Sequence, residues 1–108
     1  MTRAIIAGSD AASLGDALVT EGVDVTTAAG TANRDALEAA GIAEADVFIV
    51  TEMGLATSIS VAKELNPDVR VVVYAEGTLP DFARRQAGHI LDPKLMDPDF
   101  VAEEVAAA

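Results

Sequence analysis

The run Gly8-Ser9-Asp10-Ala11-Ala12-Ser13 is the part of this chain that most resembles a phosphate cradle. In a G-x-G-x-x-G loop the glycines let backbone amides close on a pyrophosphate at a helix N-terminus. Only the first glycine is present here. Asp10 stands where the second would admit the phosphate, adding bulk and a negative charge, and Ser13 stands where the third would allow close helix packing. The first reading is a tight turn at Gly8 with Ser9 or Asp10 capping a helix. The second is an eroded nucleotide loop in which Gly8, Ser9, Asp10 and Ser13 keep some contact.

Asp10, Glu52, Glu76 and Asp92 form a second constellation, a ring of carboxylates of the type that suits Mg²⁺ or Ca²⁺. With 18 acidic residues in 108, chance clustering in solvent accounts for the ring, and no metal is expected. His89 is the lone histidine, and with no cysteine or second histidine beside it, it reads as a half-buried strand residue. Ser58 and Ser60 fall inside a helical pattern with no histidine to activate them, which makes them packing or back-bonding side chains. No catalytic pair emerges, and the chain is not expected to be an enzyme.

The elements that must position these residues follow from period and punctuation. Residues 3–7, 23–28, 45–51, 70–74 and 89–91 are short apolar runs that read as strands. Between them lie helical patterns at 11–21, with Leu14, Ala17 and Leu18 on one face and Gly22 at its end, and at 33–40, with Asn33 as cap and Gly41 as stop. Further helices are expected at 56–65, closed by Asn66-Pro67, near 81–86, and after Asp97 through Phe100, Val101 and Val105. The alternation predicts an α/β fold, a Rossmann-like three-layer sandwich of about five parallel strands with helices on both faces. Ligands of such sheets bind beyond the carboxyl ends of the strands. That edge adds Gly30, Thr31 and Thr51 to Gly8, Ser9, Asp10 and Ser13 as candidate cofactor contacts.

Composition narrows the function classes. Eighteen acidic side chains against seven basic ones give a net charge of −11, which repels phosphate backbones and anionic lipid. No nucleic-acid partner and no membrane insertion are expected, and the location is read as cytoplasmic. The absence of cysteine removes disulfide scaffolds and thiolate metal sites. Dense carboxylates with only 4% aromatic residues suit a salt-rich, halophilic cytoplasm. Residues 1–108 read as one domain, since no linker or low-complexity tract divides them.

Receiver domains share the five-fold alternation and carry acidic residues at strand ends. They hold their phosphoryl-accepting aspartate at the end of the third strand, where this chain has Thr51 and Glu52, and only Lys94 near the fifth strand matches. The phosphoacceptor reading is set aside on that detail.

Residues 30–42 (GTANRDALEAAGI), 45–51 (ADVFIVT), 62–67 (AKELNP) and 87–93 (AGHILDP) together resemble the N-terminal Rossmann domain of Trk-type potassium-uptake regulators, the family of RCK domains. That resemblance implies NAD(H) or an adenine nucleotide as cofactor, although the residues by themselves require none. It also implies a homodimer, or a separate transporter or regulatory protein, as partner. The expected function is a non-enzymatic regulatory domain linked to potassium transport, with a nucleotide-binding sensor as the alternative. One helix and one strand of the parent pattern are missing after Thr27, which shortens the domain and converts the strand order to 2-1-3-4-5. The shortening is expected to leave strand two as an exposed edge, with Leu14 and Leu18 available to extend a dimer contact.

Overall fold

Among the described residues five short strands pair in parallel: β1 (Arg3–Ala7), β2 (Asp24–Ala28), β3 (Val47–Val50), β4 (Arg70–Tyr74) and β5 (His89–Leu91). Their order is β2-β1-β3-β4-β5, the 2-1-3-4-5 order expected above. The computed structural model describes residues 2–9 and 13–107. In register, Ile5 lies between Thr26 of β2 and Phe48 of β3, and Val50 lies between Ala7 and Val73. β1, β3 and β4 are buried on both faces apart from Arg3 and Arg70 at their starts, which is why they read as continuous apolar runs.

Among the described residues five α-helices complete the sandwich: α1 (Leu14–Thr20), α2 (Arg34–Ala40), α3 (Thr57–Leu65), α4 (Asp81–Arg84) and α5 (Pro98–Ala107). Strand alternation splits the core in two. Ile5, Phe48, Val50, Val71 and Val73 face Leu37, Ile59, Ala62 and Ala83, which sets α2, α3 and α4 on one side. Ile6, Val47, Ile49, Val72 and Tyr74 face Leu14, Leu18, Val101 and Val105, which sets α1 and α5 on the other.

Local chemistry ends the helices where the sequence signals it. At the end of α1, the Gly22 N–H donates to Val19 O and the Val23 N–H to Leu18 O, the paired bonds of a Schellman stop, with Gly22 at φ 84°. Asn33 Oδ1 accepts from the Ala36 N–H at 2.9 Å, and Asp97 Oδ1 accepts from the Asp99 N–H at 3.1 Å. The start of α1 departs from expectation. The residue that precedes it is Ser13, in the left-handed conformation at φ 59° and making no side-chain cap, so Ser9 does not cap this helix. Asp10, the other expected cap, lies outside the described residues. α4 stops at Arg84, earlier than expected, as the chain turns so that the Gly88 N–H can reach Val71 O at 2.8 Å and open β5.

Leu14 and Leu18 are fully buried and supply nothing to a contact at β2. β2 is an edge strand, but its exposed residues are Asp24, Thr26 and Thr27, all polar.

Candidate functional site

The carboxyl ends of β1 and β3 lie side by side, because those strands pair in the middle of the sheet. Thr51 follows β3, and its hydroxyl shares one proton between Ser9 O at 2.7 Å and Ala7 O at 3.2 Å. Glu52 turns back over the same loop, and its Oε2 accepts from the Ser9 N–H at 2.6 Å. Gly8, at φ 109°, passes beneath both residues. A Cβ there would collide with Thr51 Oγ1 and come within 3.1 Å of Glu52 Oε2. The structure therefore brings together Gly8, Ser9 and Thr51, three of the expected contacts, and adds Glu52.

The remaining candidates do not enter this cluster of hydrogen bonds, although Gly30 and Thr31 leave the sheet at the same edge, Ala28 being the register partner of Ala7. Gly30 and Thr31 follow β2, where Thr31 O accepts from Ser58 Oγ at 3.1 Å. Ser13 opens α1, and Asp10 lies outside the described residues. The expected carboxylate ring is dispersed among other tasks. Glu52 holds Ser9, Glu76 pairs with Lys94 Nζ at 3.3 Å, and Asp92 Oδ1 accepts from the Lys94 N–H at 2.9 Å. Among the described residues no three acidic or histidine side chains gather to hold a metal. Lys94 therefore turns to the end of β4 and not to that of β3.

Several side chains act in ways their local sequence did not signal. Ser58 is buried, and its hydroxyl serves Ala32 O at 2.9 Å as well as Thr31 O, tying α3 to the β2–α2 loop where Ala32 adopts φ 53°. Ser60 Oγ donates to Gln86 Oε1 at 2.8 Å, joining α3 to the segment after α4. These are long-range ties and not bonds back to the preceding turn. Asn66 Nδ2 donates to Ile42 O and Ala45 O, both at 2.9 Å, and so closes α3 onto the approach to β3. Tyr74 is buried in β4, and its hydroxyl donates to Met96 O at 2.6 Å. Burial, with the nearby negative charge of Asp97 as a second cause, raises its pKa above the ordinary 10.0. His89 is exposed on β5 and not half-buried, because β5 is the outer strand and no further strand covers it.

A family model described as "Family of unknown function (DUF7126)" matches residues 4–105. The chain belongs to that family. No curated protein matches this DUF7126 chain. Among solved structures it is similar to a response regulator from Thermotoga maritima, with a TM-score of 0.70 at 16% identity over 100% of both chains. It is similar also to an orphan response regulator of H. pylori, with a TM-score of 0.71 at 16% identity over 98% of this chain and 94% of that one. A CheY-like protein (TadZ) from Pseudomonas aeruginosa gives 0.63 at 15% identity over 100% and 96%. At such identities the likeness is one of fold.

These neighbours correct the resemblance to Trk-type regulators and RCK domains. The three neighbours named above are response regulators and a CheY-like protein, so a link to potassium transport has no support, nor has the alternative of a sensor for NAD(H) or an adenine nucleotide. The geometry gives the reason. In a nucleotide loop the backbone amide after the first glycine is open to phosphate, whereas here the Ser9 N–H is bound to the Glu52 carboxylate. An incoming phosphate would meet a like charge at that point. The segments that carried the resemblance encode the alternation of strands and helices that both fold types share. Among the described residues no helix is long and apolar enough to cross a membrane.

Proposed function

We propose that this DUF7126 chain is a non-enzymatic regulatory domain, with residues 1–108 as its single unit, that works in the cytoplasm by contact with a protein partner and without accepting a phosphoryl group. The observation that carries this reading is Thr51. Receiver domains place their acceptor aspartate at the end of the third strand, and here that place holds a threonine whose hydroxyl is tied to the carbonyls of Ser9 and Ala7. A hydroxyl so engaged is a poor stand-in for a free carboxylate nucleophile. The next residue, Glu52, is bound to the Ser9 amide. A protein partner is supported by a solved neighbour of the same fold, a response regulator crystallised in complex with a histidine kinase.

The test uses acetyl phosphate with Mg²⁺, a small-molecule phosphoryl donor, and intact-mass measurement. The expected result is an unchanged mass. Gain of one phosphoryl group that hydroxylamine then removes, the signature of an acyl phosphate, overturns the reading.

A further inference from the structure

The sheet face beneath α5 is covered only in part. α5 starts beside the end of β4, where the Tyr74 hydroxyl reaches Met96 O, and runs back until Ala107 flanks Arg70 at the start of that strand. Val101, Ala102 and Val105 pack it with Leu14 and Leu18 of α1 over the centre of the sheet. The outer strand β5 has three residues and sits to one side of that packing. A groove of about 380 Å³ is left between β5 and α5, within the size range of small-ligand sites.

This groove has an apolar end and a polar end. Leu91, Met96, Phe100 and Val101 line it towards the carboxyl ends of the strands. Phe100 is 46% exposed, so a ligand that fills the groove takes its ring out of water. Arg70 opens β4 and His89 opens β5. His89 is the register partner of Val72, which puts Arg70 two positions back on the same face. Glu104 follows Phe100 by one turn of α5 and borders the groove from the helix side. Arg70 and Glu104 are the one cation and the one acid of the lining, both exposed, and among the described residues neither makes an ion pair.

We propose that the groove is a binding site for a free α-amino acid with a large apolar side chain, of the kind of leucine, methionine or phenylalanine. Arg70 takes the carboxylate with the His89 ring N–H as a further donor, and Glu104 takes the ammonium. The side chain lies along Leu91, Met96, Phe100 and Val101. Charge selects this class. A chain of −11 disfavours an anion, and a carboxylate without an amine would set a like charge against Glu104. An amine without a carboxylate would in the same way leave Arg70 unmatched. A zwitterion of no net charge answers both side chains and adds nothing to the repulsion. The site goes beyond the regulatory reading. Its polar end lies at the amino ends of β4 and β5, away from the Ser9–Glu52 loop, so it is independent of the acetyl phosphate result.

The experiment is titration calorimetry of the full chain in about 0.15 M KCl, where exposed charges are screened beyond ~8 Å. The ligands are L-leucine, L-methionine and L-phenylalanine, each beside its deaminated and decarboxylated counterpart, for phenylalanine 3-phenylpropionate and 2-phenylethylamine. At least one amino acid is expected to bind with a Kd below about 1 mM, and both of its counterparts about tenfold or more weakly. Arg70→Gln and Glu104→Gln, both at exposed positions, are each expected to weaken it about tenfold while circular dichroism shows the fold kept. On titration the NMR amide signals of His89, Leu91 and Glu104 should move and those of Ser9 and Thr51 should not. Absence of such binding for all three amino acids overturns the proposal. A deaminated counterpart that binds as tightly overturns the ligand class, since a plain carboxylate is then enough. Binding that survives both glutamine variants, or signals that move elsewhere, overturns the site.

Discussion

The Ser9 N–H and Glu52 Oε2 lie 2.6 Å apart, joining residues 43 positions distant in sequence across the ends of two neighbouring strands. A carboxylate accepting from a backbone amide makes one of the stronger hydrogen bonds available. It also places negative charge where a nucleotide phosphate would sit. Calorimetry with NAD, NADH, ATP and AMP is expected to show no micromolar binding. Glu52→Ala should speed amide exchange at Ser9, measured by NMR, and leave the exchange of β4 unchanged. Equal protection at Ser9 in the variant would mean that the bond does not hold the loop.

Gly8→Ala is expected to be among the most damaging single-methyl additions in the chain. It adds a Cβ at φ 109° and directs it into Thr51 Oγ1. Backbone strain alone is of order 1–3 kcal/mol, so a loss of about 2 kcal/mol or more is expected in urea unfolding. Gly22→Ala adds a Cβ that meets nothing within 4 Å at φ 84°, and should cost less.

Tyr74 makes stability depend on alkaline pH. Its pKa is raised in the folded chain by burial and then by Asp97, so above the ordinary 10.0 the unfolded chain gives up this proton while the folded one keeps it. The unfolded state then binds fewer protons, and the contribution present below pH 10 is lost as pH rises through the folded value. Tyr74→Phe should cost about 1 kcal/mol at neutral pH through the lost bond to Met96 O. It should also fall less steeply than wild type in denaturant melts from pH 9 upward. Parallel curves would show that Tyr74 does not contribute the slope.

Salt is expected to stabilise the fold. A net charge of −11 on 108 residues opposes compaction at low ionic strength, and screening is nearly complete once the Debye length reaches ~3 Å near 1 M. The melting temperature should climb as KCl is raised from millimolar to molar. A flat or falling trend would leave the excess of carboxylates without a role in salt tolerance.

The elements were legible in the sequence because their signals are local. The strands over Arg3–Ala7, Arg70–Tyr74 and His89–Leu91, the Asn33 cap and the Gly22 stop each depend on residues within a few positions of one another. The strand order was expected from the Trk-type resemblance with one unit removed, and it holds although that family reading does not, because short right-handed crossovers leave few ways to arrange five parallel strands. That same local legibility misdirected the family reading. Alternating runs such as 45–51 and 62–67 encode strand and helix in either fold type, and they say nothing of what the loops between them bind.

The sequence by itself determined the α/β class, the element boundaries to within a few residues, the charge and the lack of cysteine chemistry. It also placed Thr51 and Glu52 at the end of the third strand, where a receiver carries its acceptor. Only the tertiary structure decided what those residues do. Thr51 meets Ser9 across 42 positions and Ser58 meets Ala32 across 26, and neither pair exists until the sheet sets β1 beside β3 and α3 over the β2–α2 loop. Side-chain hydrogen bonds are short-ranged and directional, so the residue type offers the donor or acceptor and only the packed chain brings it within reach of its partner.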